Sequence, residues 1–278
     1  MTVLSDQPGT APLGWDGHIL LLYSAESERL AALAAWARRG LENDEKVIYT
    51  EAPGTPPERT LVRLLQDDGI DAAAATATGC LVVQSPAEFF RSDGQAARLE
   101  RALAEGYRGL RLSAQASSAV TVIPQAAHLD VERAFDQLCR TRPMSGLCQY
   151  EQSAMPGDRL RDVAASHLSG GIRQRTLSVA QHVGHLVLAG EIDVSNQDIL
   201  MCALRAAAEQ ASQTLRLDVR QVEFIGAAGC RALDDGTFRF RRQGGRVLLV
   251  EPKPWVERIL RVARVDHIEG IELVPSRE

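Results

Sequence analysis

The chain is poor in several things, and each shortage excludes a class of protein. Only 5% of its 278 residues are aromatic. No apolar run approaches the roughly 18 residues that a membrane-crossing helix requires, so no membrane role is expected. There is no basic excess: 31 Lys and Arg stand against 36 Asp and Glu, a formal net charge of -5. General nucleic-acid binding needs a positively charged face, so no direct nucleic-acid contact is expected either. The N-terminus lacks a charged stretch followed by a long apolar core, so it does not read as a secretory signal. Five cysteines, Cys80, Cys139, Cys148, Cys202 and Cys230, are widely spaced with no CxxC pair. They read as reduced core thiols of a cytoplasmic protein.

Catalytic signatures are missing as well. The loop after the first apolar run, Ser24-Ala25-Glu26-Ser27-Glu28-Arg29, has neither glycine nor lysine. A phosphate cradle needs exposed backbone N–H groups and a cation, and two glutamates would repel a triphosphate. No G-x-S-x-G elbow occurs. His182 and His185 lack acidic or thiol ligands at metal spacing and read as a surface hairpin with Gly184 in its turn. Asp67-Asp68 and Asp234-Asp235 sit at helix ends, where paired carboxylates are usually solvated. No catalytic residue, metal ligand or cofactor is assigned from the sequence.

What is present is an alternation of short strands and helices. Residues 1–15, with Pro8, Gly9, Pro12 and Gly14, read as a flexible lead-in. His18–Tyr23 fits a buried parallel strand, Ser24 caps the following helix, and Arg29–Leu41 is that helix. Strands follow at 46–50, 80–83, 110–112 and 144–150, with helices at 59–67, 98–105, 131–139 and 159–167. The pattern predicts an α/β domain over residues 16–168. Ser169-Gly170-Gly171 reads as a linker. Beyond it lie strands at 176–180, 185–188, 215–225, 246–250 and 271–274, and helices at 194–210, 230–243 and 254–264.

Two stretches of the second half stand out. Gly190-Glu191-Ile192-Asp193-Val194-Ser195-Asn196 ends a strand; Asp193 or Ser195 could cap the next helix, and Asn196 could bond back to the turn. Leu217–Ile225 then runs as a strand into the small-residue turn Gly226-Ala227-Ala228-Gly229. A helix N-terminus behind such a turn leaves N–H groups open to an anion or a docking partner. With their spacing, these stretches resemble the STAS domain of anti-sigma factor antagonists over residues 175–275. The resemblance implies a small mixed sheet with helices, and a docking site for an anti-sigma factor or other signalling protein at Asp193, Ser195, Asn196, Gly226, Ala227, Ala228 and Gly229. In that family the turn reads D-S-S-G, and a partner kinase phosphorylates a serine in it. Here Gly226, Ala227 and Ala228 replace those residues, so no hydroxyl stands in the turn. Three roles follow: an antagonist that cannot be switched off there, a scaffold signalling through other contacts, or a structural and dimerising module.

In the first half, several fragments are similar to the MEDS sensory domain of bacterial and archaeal regulators. They are His18 with Tyr23 and Glu28, Gly40-Leu41-Glu42 with Glu45-Lys46-Val47, Gly79-Cys80-Leu81, Gly106–Arg111, Cys148-Gln149-Tyr150-Glu151, and His167. The resemblance implies a RecA-like, mostly parallel sheet without a working phosphate loop, and a role in sensing a small organic molecule such as a hydrocarbon derivative. Where the family has a glutamate and then an aromatic, this chain has Gln115-Ala116-Ser117-Ser118, which leaves ligand identity open. Strand C-termini carry the ligand crevice of open α/β sheets. Tyr23, Glu51, Gln115, Gln149 and Tyr150, with Thr50 and Ser113 beside them, lie at or just past strand ends and are candidate ligand-binding residues, and the resemblance adds His18. The whole reads as a cytoplasmic, non-enzymatic regulator. The alternatives are a ligand-free structural homodimer, and an enzyme using Glu51 and Tyr150 for acid–base work.

Overall fold

A computed structural model of the chain describes residues 14–91, 94–119, 122–155, 157–167, 169–182 and 185–275. Most of the expected lead-in and the Gly184 turn lie outside these residues. The chain divides into two compact units on either side of the Met155–Pro156 bond. No described helix is long and apolar enough to cross a membrane.

The N-terminal unit runs β1 (His18–Tyr23), α1 (Glu26–Glu42), β2 (Lys46–Thr50), α2 (Leu61–Asp67), α3 (Ala72–Ala77), β3 (Leu81–Gln84), α4 (Pro86–Arg91), α5 (Gln95–Ala104), β4 (Leu110–Gln115), α6 (Ala116–Ala119), α7 (Gln125–Thr141) and β5 (Met144–Glu151). Its strands lie in the order β1-β5-β4-β2-β3, and every pairing is parallel. Both faces are covered, which explains why β1 reads as an unbroken apolar run. One core holds Ile19, Leu21, Leu33, Trp36, Val47, Tyr49, Leu61, Leu65 and Leu147 under α1, α2 and α3. The other holds Ile48, Leu99, Leu110, Leu112, Phe135, Cys139 and Met144 under α5 and α7. The parallel α/β architecture expected from the sequence is the one found.

Three short helices, α3, α4 and α6, escape the sequence reading, although two carry legible caps. Asp71 accepts the Ala74 N–H at 2.9 Å. Ser85 and Glu88 form a reciprocal capping box: Glu88 Oε2 accepts the Ser85 N–H at 2.8 Å, and Ser85 Oγ accepts the Glu88 N–H at 3.3 Å. At α1 the capping position is Ala25, not Ser24. Glu28 reaches back to accept the N–H groups of Ser24 and Ala25, at 3.1 and 3.4 Å. The chain's own carboxylate thus stands where a phosphate loop would hold its phosphate.

The C-terminal unit runs α8 (Gly157–Ala164), β6 (Gly171–Arg173), β7 (Leu177–His182), β8 (His185–Ile192), α9 (Gln197–Gln210), β9 (Thr214–Ile225), α10 (Ala227–Arg242), β10 (Arg246–Val250), α11 (Pro254–Val262) and β11 (Ile271–Val274). β6, β7 and β8 pair antiparallel; β8, β9, β10 and β11 pair parallel. This is the mixed sheet with helices expected for the second half. The Ser169–Gly171 stretch is not simply a linker, because Gly171 opens β6, where Ile172 pairs with Val179. Gly171 has φ +77°, and a Cβ there would lie 2.1 Å from the Val179 carbonyl oxygen, so only glycine fits.

One buried arginine, paired with two carboxylates, ties the N-terminal end of the first unit together. Arg111, 1% exposed on β4, bonds Glu45 through Nε and Asp16 through Nη1, the latter at 2.6 Å. Its guanidinium lies 5.1 Å from the Trp36 ring centre, and a Cβ on Gly40 would come within 2.4 Å of its Cδ. Removing the cation leaves the buried Glu45 carboxylate uncompensated. Arg111→Ala should lower unfolding free energy by about 3–5 kcal/mol in urea titrations, far more than a truncation at the exposed Arg63.

Candidate functional site

Alternation along parallel strands sends neighbouring side chains to opposite faces. The six ligand-binding candidates therefore divide into two groups, because β1 to β5 register Leu20 with Cys148 and Leu21 with Gln149.

On the α1 face, Arg29 is the hub, and the sequence reading passed it over. It is 4% exposed and hydrogen-bonds Gln149 Oε1 at 2.7 Å, Tyr49 Oη at 3.2 Å and Glu26 at 2.5 Å. Gln149 in turn donates to Ser113 Oγ at 2.7 Å, and Gln115 donates to Tyr23 Oη at 3.4 Å. Tyr23, Gln115 and Gln149 thus lie together on this face. Burial raises the Tyr23 and Tyr49 hydroxyl pKa values, so both stay protonated donors. Glu51 does not join them. Its carboxylate accepts the Leu61 N–H at 3.0 Å, at the start of α2. It is also separated by the sheet from Tyr150, so the acid–base pair considered from the sequence does not share a site.

On the α7 face, His18 and Tyr150 meet a residue no sequence motif pointed to, Glu132 of α7. Its Oε1 accepts the Tyr150 hydroxyl at 2.8 Å and lies 3.1 Å from His128 Nε2. Its Oε2 lies 3.1 Å from His18 Nε2 and accepts the Cys148 thiol at 3.3 Å. His18 also packs against Phe135, with ring centres 4.6 Å apart. Burial, then the nearby Glu132 charge, pushes the Cys148 thiol well above its usual range; Cys139 is raised by burial, then by Asp136 and Glu132. His128, Glu132 and Cys148 form one wall of a small cavity of about 30 Å³. Its other walls are mostly apolar, including Phe89, Phe90, Leu112, Ala119, Val131 and Phe135, with Gln95, Ser113 and Gln115 also bordering it. The register pair Thr50 and Gln84, at the ends of β2 and β3, holds a buried Oγ1 and a buried Nε2 with no hydrogen-bond partner.

In the C-terminal unit the two candidate stretches lie side by side, because Glu191 registers with Phe224 and Ile192 with Ile225. Asn196 is fully buried. Its Oδ1 accepts the Asp193 N–H at 3.0 Å, and its Nδ2 donates to Glu191 O at 2.9 Å and Thr176 Oγ1 at 3.0 Å. Asp193 accepts both the N–H and the hydroxyl of Ser195, at 2.8 and 2.6 Å, which lowers its pKa. Neither Asp193 nor Ser195 caps α9. Asn196 occupies the capping position, with its side chain turned back to the strand end.

Gly226–Gly229 is not a free turn. Gly226 is the extended capping residue of α10, and its N–H bonds Ile192 O at 2.8 Å; Ala227 already opens the helix. Ala227 is exposed, whereas Ala228 and Gly229 are buried. A Cβ on Gly229 would sit 2.6 Å from Ile192 Cγ2. Around this helix start three large apolar side chains reach solvent: Val194 is 72% exposed, Phe224 44% and Trp255 52%. Trp255 is held by its indole N–H on Glu223 O at 2.8 Å, and Lys253 lies 5.3 Å from its ring centre. A separate groove of about 510 Å³, lined by Arg161, Arg205, Glu209, Asp235, Phe238 and Arg239 among others, opens beside α9 and α10.

Residues 17–168 match the family described as MEDS, the MEthanogen/methylotroph, DcmR Sensory domain. Residues 176–275 match the family described as Mlab, STAS domain. A search of the curated proteins returns no match. Among solved structures, a putative anti-sigma factor antagonist from Thermotoga maritima aligns at 17% identity and TM-score 0.31, over 36% of this chain and 86% of its own. The anti-sigma factor antagonist SpoIIAA in its unphosphorylated form aligns at 15% identity and TM-score 0.30, over 36% and 89%. A KaiC-like protein from the archaeon Pyrococcus horikoshii aligns at 13% identity and TM-score 0.42, over 66% and 87%.

Raised thiol and phenol pKa values mean that the folded state keeps protons the unfolded chain gives up. The stability they contribute is fully present below the unfolded thiol pKa of about 8.5 and is lost as pH rises beyond it. Urea midpoints should therefore fall between pH 8 and 10, and Cys139→Ala should flatten that fall. At pH 8, alkylation should modify the part-exposed Cys80 while Cys139 stays unmodified until urea unfolds the protein. In the second unit Gly229→Ala should cost about 1–3 kcal/mol, and Ala227→Ser should change stability by less than about 0.5 kcal/mol.

Proposed function

The chain belongs to the MEDS sensory-domain family through residues 17–168 and carries a STAS domain over residues 176–275, and on that footing we propose a two-part signalling regulator. The N-terminal unit takes up a small, largely apolar organic molecule. The STAS domain passes on the resulting state by docking an anti-sigma factor or a related signalling protein, in the cytoplasm and without catalysing a reaction.

The observation that carries the sensor half is the mostly apolar cavity with a few polar groups in its lining. Few, convergent polar groups in an otherwise apolar pocket are the usual make-up of a small-molecule site. At about 30 Å³ it has room for about two water-sized groups, so it suits a molecule of a few heavy atoms. The docking half rests on Val194, Phe224 and Trp255, which ring the α10 start with exposed apolar surface. Aromatic anchors of this kind dominate protein interfaces. Gly226, Ala227 and Ala228 offer no hydroxyl, so we take this surface to be a fixed contact and not a phosphoserine switch. A dimerising role is the alternative, since the same patch could meet its own copy.

Two measurements test this. Mass spectrometry of molecules released on denaturing the purified chain, with thermal shifts across short hydrocarbon derivatives, should find a ligand that raises Tm by at least about 2–4 °C. Ala119→Leu, which fills the cavity, should abolish that shift. An empty cavity and no shift anywhere on the panel would sink the sensor reading. Phe224→Ala with Trp255→Ala should remove capture of an anti-sigma factor from the native host, while Phe238→Ala retains it. Ala227→Ser, which restores a hydroxyl at the exposed position, should render the domain a substrate for that partner's kinase activity. Unchanged capture by the double variant, or self-association in its place, would overturn the docking surface.

A further inference from the structure

The α7-face cluster contains a tighter arrangement than a sensor pocket requires. His18 Nε2, Glu132 Oε2 and Cys148 Sγ form a triangle with edges of 3.1 Å (N to O), 3.1 Å (N to S) and 3.3 Å (S to O). An imidazole nitrogen either donates or accepts a hydrogen bond, never both. If Nε2 accepts from the thiol, it sets its lone pair against the carboxylate. If Nε2 carries the proton, its N–H and the Cys148 thiol both turn to Glu132 Oε2, and the 3.1 Å contact between nitrogen and sulfur is left with no proton to bridge it. The N···S edge is as short as the N···O edge although sulfur is the larger atom.

A single divalent cation within the triangle relieves this conflict. In a tetrahedral zinc site the donors lie about 2.0–2.3 Å from the metal, which puts them roughly 3.3–3.6 Å from one another. An imidazole, a carboxylate and a thiolate are all zinc ligands, and the thiolate selects against hard cations such as magnesium. The charges also balance. Glu132 as carboxylate and Cys148 as thiolate bring two negative charges against the 2+ of the ion, so the buried site carries no net charge. On binding, the thiol S–H bond is replaced by a sulfur–metal bond and the proton leaves to water, with no change of oxidation state.

The surroundings are those of a supported metal site. The other Glu132 oxygen is held by the Tyr150 hydroxyl at 2.8 Å, with His128 Nε2 3.1 Å away. The other His18 nitrogen faces Asp136 Oδ1 at 3.8 Å, and Asp136 Oδ2 accepts Arg140 Nε at 2.8 Å. Partners behind the ligating imidazole and carboxylate fix their orientation and basicity in metal sites generally. We propose that His18, Glu132 and Cys148 bind one divalent metal ion of the zinc class, with a fourth position for a further donor. The proposal stands apart from the sensor reading, because metal content is measured without any organic ligand.

The test uses the full chain, purified without a histidine tag or chelator. Elemental analysis should find about one equivalent of zinc per chain. After chelation, Co²⁺ titration should develop the visible bands of a tetrahedral site and a near-ultraviolet sulfur-to-cobalt band. Cys148→Ser should lose the sulfur band, and Cys148→Ser and Glu132→Gln should each weaken binding at least about tenfold. His267→Ala, at an exposed position in the other unit, should change neither. Circular dichroism of the near-isosteric Cys148→Ser and Glu132→Gln chains separates loss of the site from loss of the fold. A metal-free wild type that develops no cobalt spectrum would overturn the site, as would full affinity in folded Cys148→Ser and Glu132→Gln. Either result would leave a hydrogen-bonded core cluster.

Discussion

Burying one carboxylate obliges the surrounding chain to supply the groups that satisfy it. Glu132 sits inside the N-terminal unit with Tyr150, His128, His18 and Cys148 around its two oxygens. An unsatisfied buried carboxylate would be expensive, so these residues cannot drift independently. They come from β1, β5 and α7, and the demands of Glu132 fix the register of α7 against the two strands. The cavity wall, the raised thiol and the close His18–Cys148–Glu132 triangle all follow from that placement.

The parallel sheet then does the sorting. A polar residue near the end of each strand belongs to one face or the other according to parity alone. Tyr23, Gln115 and Gln149 go to the face of Arg29, while Tyr150 and Cys148 go to the face of Glu132. One strand edge thus carries two polar systems of different character. The first is a network of Tyr, Gln and Ser side chains, with the Glu26 carboxylate, around a buried guanidinium; the second is a compact set of titratable groups beside a mostly apolar cavity. Arg111 does comparable work at the other end of the sheet, where it pairs with Glu45 and, together with Arg39, with Asp16.

In the C-terminal unit the organising contact is shorter in reach. The Gly226 N–H on Ile192 O, with Asn196 folded back on the same strand end, locks the β8 end to the α10 start. Gly229 allows the close approach because it has no side chain to collide with Ile192 and Ile225. That rigid junction presents Ala227, Phe224, Val194 and Trp255 to solvent. It is small and apolar, with no hydroxyl on Gly226, Ala227, Ala228 or Gly229 at the helix start.

Much of this was legible in the residues themselves. The apolar run of β1, the alternation of strands and helices and the glycine-rich ends fixed both architectures, since local periodicity encodes burial directly. The missing hydroxyls at Ala227 and Ala228 were visible without any structure. Short helices escaped because one or two turns leave too little periodicity, although Ser85 with Glu88 carried a capping signal. The turn at Gly226–Gly229 was misread because small residues suit both a turn and a tightly packed helix start. The deeper omission was Glu132, His128 and Arg29. A charged residue on a helix reads as solvated, and only the packing of α1 and α7 turns these three inward. His18, Glu132 and Cys148 lie more than a hundred positions apart at the widest, with no motif spacing to join them. The sequence by itself determined which elements form and which hydroxyls are absent. Only the tertiary structure decided which polar side chains share a face, because that depends on strand order and register, which no local pattern specifies.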